Sequence, residues 1–451
     1  MTVIETIADW CTNATSFGSI AIEHAEHGFS DTIGCMIAGR NDPATLAAAR
    51  AYETRFGHGN SALVTGSRTD DATAALINGV AAHALDFDDN FHGATTHASA
   101  VLVPALLATA QAQGRDGRQM IEAYIIGLEA QAWIGSGMNP SHYTAGWHAT
   151  STIGCIGAAA GVAHLMGQNR DEIAQAMSIA VSMAAGVKGQ FGTPVKPLHA
   201  GLAARNAIEA AQLSAAGMAG RLDVLESRQG FLALYGGDYA KGWPQDHGRS
   251  HPNELAIERF GLTAKRHPCC GATHRAIDAV LDLKRDNGFV AGDVASINVT
   301  VTQAHARNLA YSRPEDEMQA RFSMQYALAL ALAQDSLGLS DFTSAAVRRD
   351  DIRALLPLTE LSVYDRATEQ ATTGRLPHRV VVTLKDGRHL DEVRQAAKGD
   401  ISLPFGADER KVKFLDCARF SGLPPAEAQE LFVRASHPAA LDKRELADFS
   451  F

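Results

Sequence analysis

Apolar residues recur at three- and four-residue spacing through most of the first 260 positions, the period of helices with buried faces. Residues 70–85 (DDATAALINGVAAHAL) open on an acidic turn and then keep that period, which predicts a helix. Further helices are predicted over 100–113, 118–134, 155–166, 171–186 and 202–217. Several are apolar nearly all round, as helices in the middle of a large bundle are. The pattern changes after about residue 262. Residues 296–303 (SINVTVTQ) alternate apolar and polar positions with β-branched side chains, as a half-buried strand does. A Val-rich run and an Asp-Gly turn over 379–390 predict a hairpin, and 317–335 reads as a helix between the two. Helical patterning returns over 406–449, a segment expected to fold back onto the first domain.

Composition narrows the function classes. At 451 residues, two or three domains are expected. Aromatics are only 6% while Ala and Gly are plentiful, which favours helices packed at close range. A net charge of −10 argues against a nucleic-acid surface and requires a local positive pocket for any anionic substrate. The cysteines at 11, 35, 155, 269, 270 and 417 fit neither a disulfide framework nor zinc-ligand spacing, and are expected to be free and buried. The first residues lack a basic segment followed by an apolar one, and the apolar run 152–166 is shorter than the ~20 residues a membrane helix needs. The expectation is a soluble, cytoplasmic protein with no membrane partner.

Five segments carry side chains with chemistry. In 83–97 (HALDFDDNFHGATTH), three aspartates and three histidines follow a predicted helix. They suit acid–base work or metal ligation, although neither HExxH nor a regular His spacing supports a metal. In 142–154 (HYTAGWHATSTIG), Tyr143 and His148 stand just ahead of a Gly/Ala-rich helix, whose start favours anions; a structural His is the plainer alternative. In 189–206 (GQFGTPVKPLHAGLAARN), Lys196 is expected on a Pro-constrained turn, held for carboxylate binding, with His199 nearby. Lys265 and Arg266 belong to 264–274 (AKRHPCCGATH), at the change of composition, where no base can be paired with the two cysteines. The segment 321–326 (RFSMQY) adds Tyr326. No Walker loop, dinucleotide fingerprint, GxSxG elbow or zinc signature is present.

In this order and at these separations, AAHALDFDDNFHGATTHASA, GWHATSTIG, VKPLHAGLAARN and KRHPCCGATH resemble the MmgE/PrpD family. The resemblance implies a mainly α fold: an all-helical domain from 1–262 plus 400–451, with an inserted α+β lid over 263–399. It also implies a homodimer with the active site between the domains and no metal or organic cofactor. The implied substrate is a small polycarboxylate, and 2-methylcitrate dehydration, cis-aconitate decarboxylation and iminodisuccinate epimerisation are among the family's activities. Carried over residue by residue, His97, Tyr143, His148 and Lys265 are the expected catalytic residues. Asp88, Asp89, Lys196, His199, Arg266 and Tyr326 are expected to bind the substrate. Two departures bear on the substrate: Ala98 stands where the family often has Pro, and Lys265-Arg266 where it often has Lys-Pro.

The resemblance implies removal of a proton beside a carboxylate. Lysines would stabilise the developing charge, and His97 or His148 would move the proton. The HYTAGWH phrase is closer in style to the epimerase branch, so epimerisation is the first expectation and a lyase the second. A polycarboxylate-binding protein without catalysis is the alternative from another class, against which the retained cations and histidine count.

Overall fold

The computed structural model describes all residues of the chain except 15, 246, 248, 250, 252 and 373. By its internal contacts the chain forms two units. The first comprises Met1–Gln190, Pro194–Thr263 and Asp408–Phe451; the second comprises Phe191–Thr193 and Ala264–Ala407. The architecture is mainly α, with sheet confined almost entirely to the smaller second unit.

Five helices of the first unit frame the site: α1 (Asp71–Ala84), α2 (Ser99–Gln113), α3 (Gly117–Met138), α4 (Ala149–Met166) and α5 (Val195–Ala215). Their ends follow local chemistry. Asp70 accepts from the Thr73 N–H to start α1, and Asp116 with Gln119 forms a capping box at α3. Gly114 (φ 60°) and Gly167 (φ 81°) end α2 and α4 in the left-handed region. Helix α4 is long and apolar enough to cross a membrane, yet 89% of it is buried inside the protein.

The small residues let these helices touch backbone to backbone. A Cβ on Gly79 of α1 would lie 2.8 Å from the Gly201 Cα, and one on Gly201 of α5 would lie 2.3 Å from the Leu76 carbonyl oxygen. Only a pair of glycines tolerates that approach. The crossing lies about one turn from His83 on α1 and from Lys196 on α5, so it sets the distance between those two side chains.

The second unit pairs helices with a four-stranded sheet of β1 (Val294–Val301), β2 (Thr359–Val363), β3 (His378–Leu384) and β4 (His389–Arg394), in the order β2-β1-β3-β4. β1 runs parallel to β2 and antiparallel to β3, and β3 and β4 form the predicted hairpin. Alternate residues Ile297, Val299, Val301 and Val380, Val382, Leu384 are buried, the period-2 pattern that marked these segments as strands. The helix expected over 317–335 is two, Glu317–Ala320 and Met324–Ala333. Ser323 separates them, because its hydroxyl accepts from the Tyr326 N–H and starts the second helix afresh. All six cysteines are free and buried.

Candidate functional site

α1 stops at Ala84, and Asp86 adopts φ 52°, a left-handed conformation that aspartate tolerates better than most residues. This reversal folds the segment after α1 back on the helix end, so that His83, Asp86, Asp88 and His97 gather there. Their polar atoms lie within 4.8 Å of one another.

Asp88 is the hub. Its two oxygens lie 3.0 and 2.9 Å from His83 Nδ1, and its Oδ2 lies 3.1 Å from His97 Nδ1. The His97 contact has the length of an ion pair. Lys196 enters from α5, its Nζ 2.8 Å from His83 Nε2 and 2.7 Å from Asp86 Oδ1. His148, the residue that starts α4, stacks on His83 with ring centroids 5.7 Å apart, and its Nδ1 lies 3.1 Å from His199 Nδ1. Thr150 of α4 accepts the His97 backbone N–H at 3.0 Å.

Burial sorts these groups. The His97 side chain is 16% exposed, whereas those of His83 and Asp88 are fully covered. His148, Lys196 and His199 are buried as well. Burial pushes the His83 imidazole down to about 3 against the pull of Asp88. Burial, then the Lys196 charge, pushes His148 well below its usual range and His199 down to about 4. Burial acts on Asp88 in the opposite sense, but His83 and His97 outweigh it and hold the carboxyl well below the usual range. Near neutral pH the cluster therefore holds an ionised Asp88, neutral His83, His148 and His199, and His97 at its accessible edge.

The same atoms could ligate a metal by type and spacing, the alternative weighed from the sequence. The Lys196 ammonium contacts two of these residues, at His83 Nε2 and Asp86 Oδ1, and its charge opposes a second cation in the cluster.

The expected residues thus fall into groups. Asp88, His97, His148, Lys196 and His199 come together. Lys196 stands in the first turn of α5 rather than on the expected turn, since proline is accommodated in a helix's first turn. Asp89 faces another way. It is buried, accepts from the Ser99 hydroxyl, and Ser99 in turn lies 2.6 Å from the Tyr124 hydroxyl; burial pushes the Asp89 carboxyl up to about 7. Tyr143 is half-buried with the Lys188 ammonium 3.8 Å above its ring. Lys265, Arg266 and Tyr326 lie in the second unit. There Lys265 is fully buried, Arg266 pairs with Asp278 at 3.2 Å, and the Tyr326 hydroxyl donates to the Asp341 carbonyl at 2.6 Å. Two members of the cluster, His83 and Asp86, were not singled out from the sequence, although both lie in the acidic segment. The signal for His83 was its place on the last turn of a predicted helix that runs into that segment.

Family models match most of the chain. The MmgE/PrpD N-terminal domain matches residues 5–243 and the MmgE/PrpD C-terminal domain matches residues 267–437. Cis-aconitate decarboxylase of Homo sapiens is 27% identical over 406 residues, 87% of this chain and 82% of that protein. Cis-aconitate decarboxylase of Aspergillus terreus is 25% identical over 76% of this chain and 74% of its own length. The mitochondrial 2-methylcitrate dehydratase of Yarrowia lipolytica is 24% identical over 91% of this chain and 81% of its own. With both family domains matched in order along the chain, this protein belongs to the MmgE/PrpD family.

Proposed function

We propose that the chain is a cofactor-independent lyase of small polycarboxylates, in which His97, backed by Asp88, moves a proton at a carbon near a carboxylate. The observation that carries this reading is the pairing of a partly exposed imidazole with a fully buried, ionised carboxylate 3.1 Å behind it. A carboxylate so placed orients the ring and stabilises the charge it gains on taking a proton. The relatives above are decarboxylases and a dehydratase, which moves the proposal from epimerisation to lyase chemistry.

Decarboxylation balances with one proton-moving residue of this kind, and dehydration balances with it and a second group that protonates the leaving hydroxyl. In decarboxylation of an unsaturated tricarboxylate such as cis-aconitate, a C–C bond breaks as CO₂ leaves. Its electron pair shifts across the double bond, and the far carbon takes a proton. In dehydration, a C–H proton goes to the base, and the hydroxyl leaves as water with a proton from an acid. His97 serves as donor in the first case and as base in the second. The cluster's carboxylates, Asp86 and Asp88, outnumber its one ammonium, so it suits proton transfer better than holding a polyanion.

Proton NMR of cis-aconitate, 2-methylcitrate and iminodisuccinate incubated with the protein in D₂O tests the reading. Release of CO₂ or water from the first or second acid is expected. Deuterium exchange in iminodisuccinate without net loss would return the assignment to an isomerase, and unchanged spectra for all three would overturn it.

A further inference from the structure

His83 has no place among the expected site residues, and its side chain is fully covered, so it does not meet a substrate. It nevertheless occupies the middle of a continuous polar chain: Lys196 Nζ to His83 Nε2 at 2.8 Å, His83 Nδ1 to Asp88 at 2.9 Å, and Asp88 Oδ2 to His97 Nδ1 at 3.1 Å. We infer that His83 is a positioning residue that transmits the fixed orientation of the Lys196 ammonium, through Asp88, to the proton-moving nitrogen of His97. The kinetic part of this inference rests on the function proposed above; the structural part does not.

The argument is one of donors and acceptors. An ammonium carries donors only, so the nitrogen facing Lys196, His83 Nε2, must offer its lone pair. A neutral imidazole has one N–H, which this contact places on Nδ1, facing Asp88. An ionised carboxylate has acceptors only, so the His97 nitrogen next to it, Nδ1, carries the proton. The nitrogen that exchanges a proton with the substrate, giving it up in decarboxylation and taking it in dehydration, is then His97 Nε2. Each link leaves the next a single arrangement, as the residue behind a reacting or metal-bound histidine commonly does. Lys196 is in turn anchored by Asp86 at 2.7 Å, and by the Gly79–Gly201 crossing of α1 and α5. The chain of contacts therefore begins in the packing of two helices.

Two substitutions separate a positioning role from mere filling of space. In His83→Asn the amide nitrogen stands near the place of Nδ1 and still donates to Asp88. In His83→Leu both polar contacts are lost at similar volume. The inference expects kcat to fall tenfold or more in His83→Leu with KM within about threefold, and His83→Asn to recover most of the loss. Equal kcat values in the two variants, or a His83→Leu enzyme as fast as the unaltered one, would overturn it. Neutron crystallography of the unaltered, deuterated protein decides the structural part without turnover. Deuterium on Nδ1 of His83, with Nε2 bare, is expected; deuterium on Nε2 would overturn the inference even if His83→Leu fails to fold. A protein that turns over no acid but shows that deuterium on Nδ1 would refute the proposed function and leave the positioning chain standing.

Discussion

Two buried aspartates of this chain are partnered by histidine, yet they are built for different work. Asp88 in the first unit has the imidazoles of His83 and His97 as its side-chain partners among the described residues, and His97 is partly exposed. Asp278 in the second unit is met by His267 and Arg266, each at 3.2 Å, and by the Lys398 backbone N–H at 2.9 Å. Both carboxyls are held below their usual range: burial pushes each up, and the surrounding donors outweigh it, leaving Asp278 at about 2. A low value therefore does not mark a reacting site. What differs is where the partners lead. The partners of Asp278 are a buried imidazole, an exposed guanidinium and the backbone, which tie three segments of the second unit together. The chain of contacts through Asp88 ends on an imidazole that a substrate can reach.

Substitutions can break this contrast. The largest effect is expected for His97→Gln, which removes the accessible imidazole: kcat on the best substrate should fall about 10³-fold with little change in melting temperature. Asp88→Asn should follow, at about 10²-fold, because the amide can present a donor to His97 and reverse its tautomer. For both, steady-state kinetics beside a thermal melt is the check. In Asp278→Asn the order of effects should invert. Loss of the charge costs roughly 1–3 kcal/mol in denaturant unfolding, while kcat changes less than tenfold. If Asp278→Asn lost activity as Asp88→Asn does, the distinction between the two aspartates would fall.

A smaller effect separates Asp88 from its neighbour. The Asp89 carboxyl is raised from 3.8 to about 7, so the folded protein holds a proton there that the unfolded chain has released. Its stabilising share is complete below the unfolded value and is lost as pH rises through the folded one. Asp89→Asn removes that loss. Its melting temperature relative to the unaltered protein should therefore climb by about 2–4 °C between about pH 5 and about pH 8. A difference that stays flat with pH would show that Asp89 is ionised in the folded state.

Much of this was legible in the sequence, and the gaps have physical causes. Helical and strand periods located the elements, because burial of one face imposes the period directly. Short motifs named five residues of the cluster: Asp88 and His97 between helices, His148 at the start of α4, and Lys196 and His199 in the first two turns of α5. The motif could not divide the roles of Asp88 and Asp89. Adjacent residues outside a helix point to different sides, and which side is buried depends on Ser99 and Tyr124 of other helices. His83 and Asp86 escaped for a related reason. Their parts depend on the left-handed turn at Asp86 and on a lysine 110 positions further along the chain. The proline beside Lys196 suggested a turn, although it also suits the start of a helix, which is what forms.

The central claim is that His97 moves a proton on a polycarboxylate. Its most direct test is the deuterium content of product formed from cis-aconitate in D₂O, measured by mass spectrometry for the unaltered protein and for His97→Gln. One deuterium per product molecule from the unaltered protein, with product formation all but abolished in the variant, is the predicted result. Product formed by His97→Gln at the unaltered rate would contradict it.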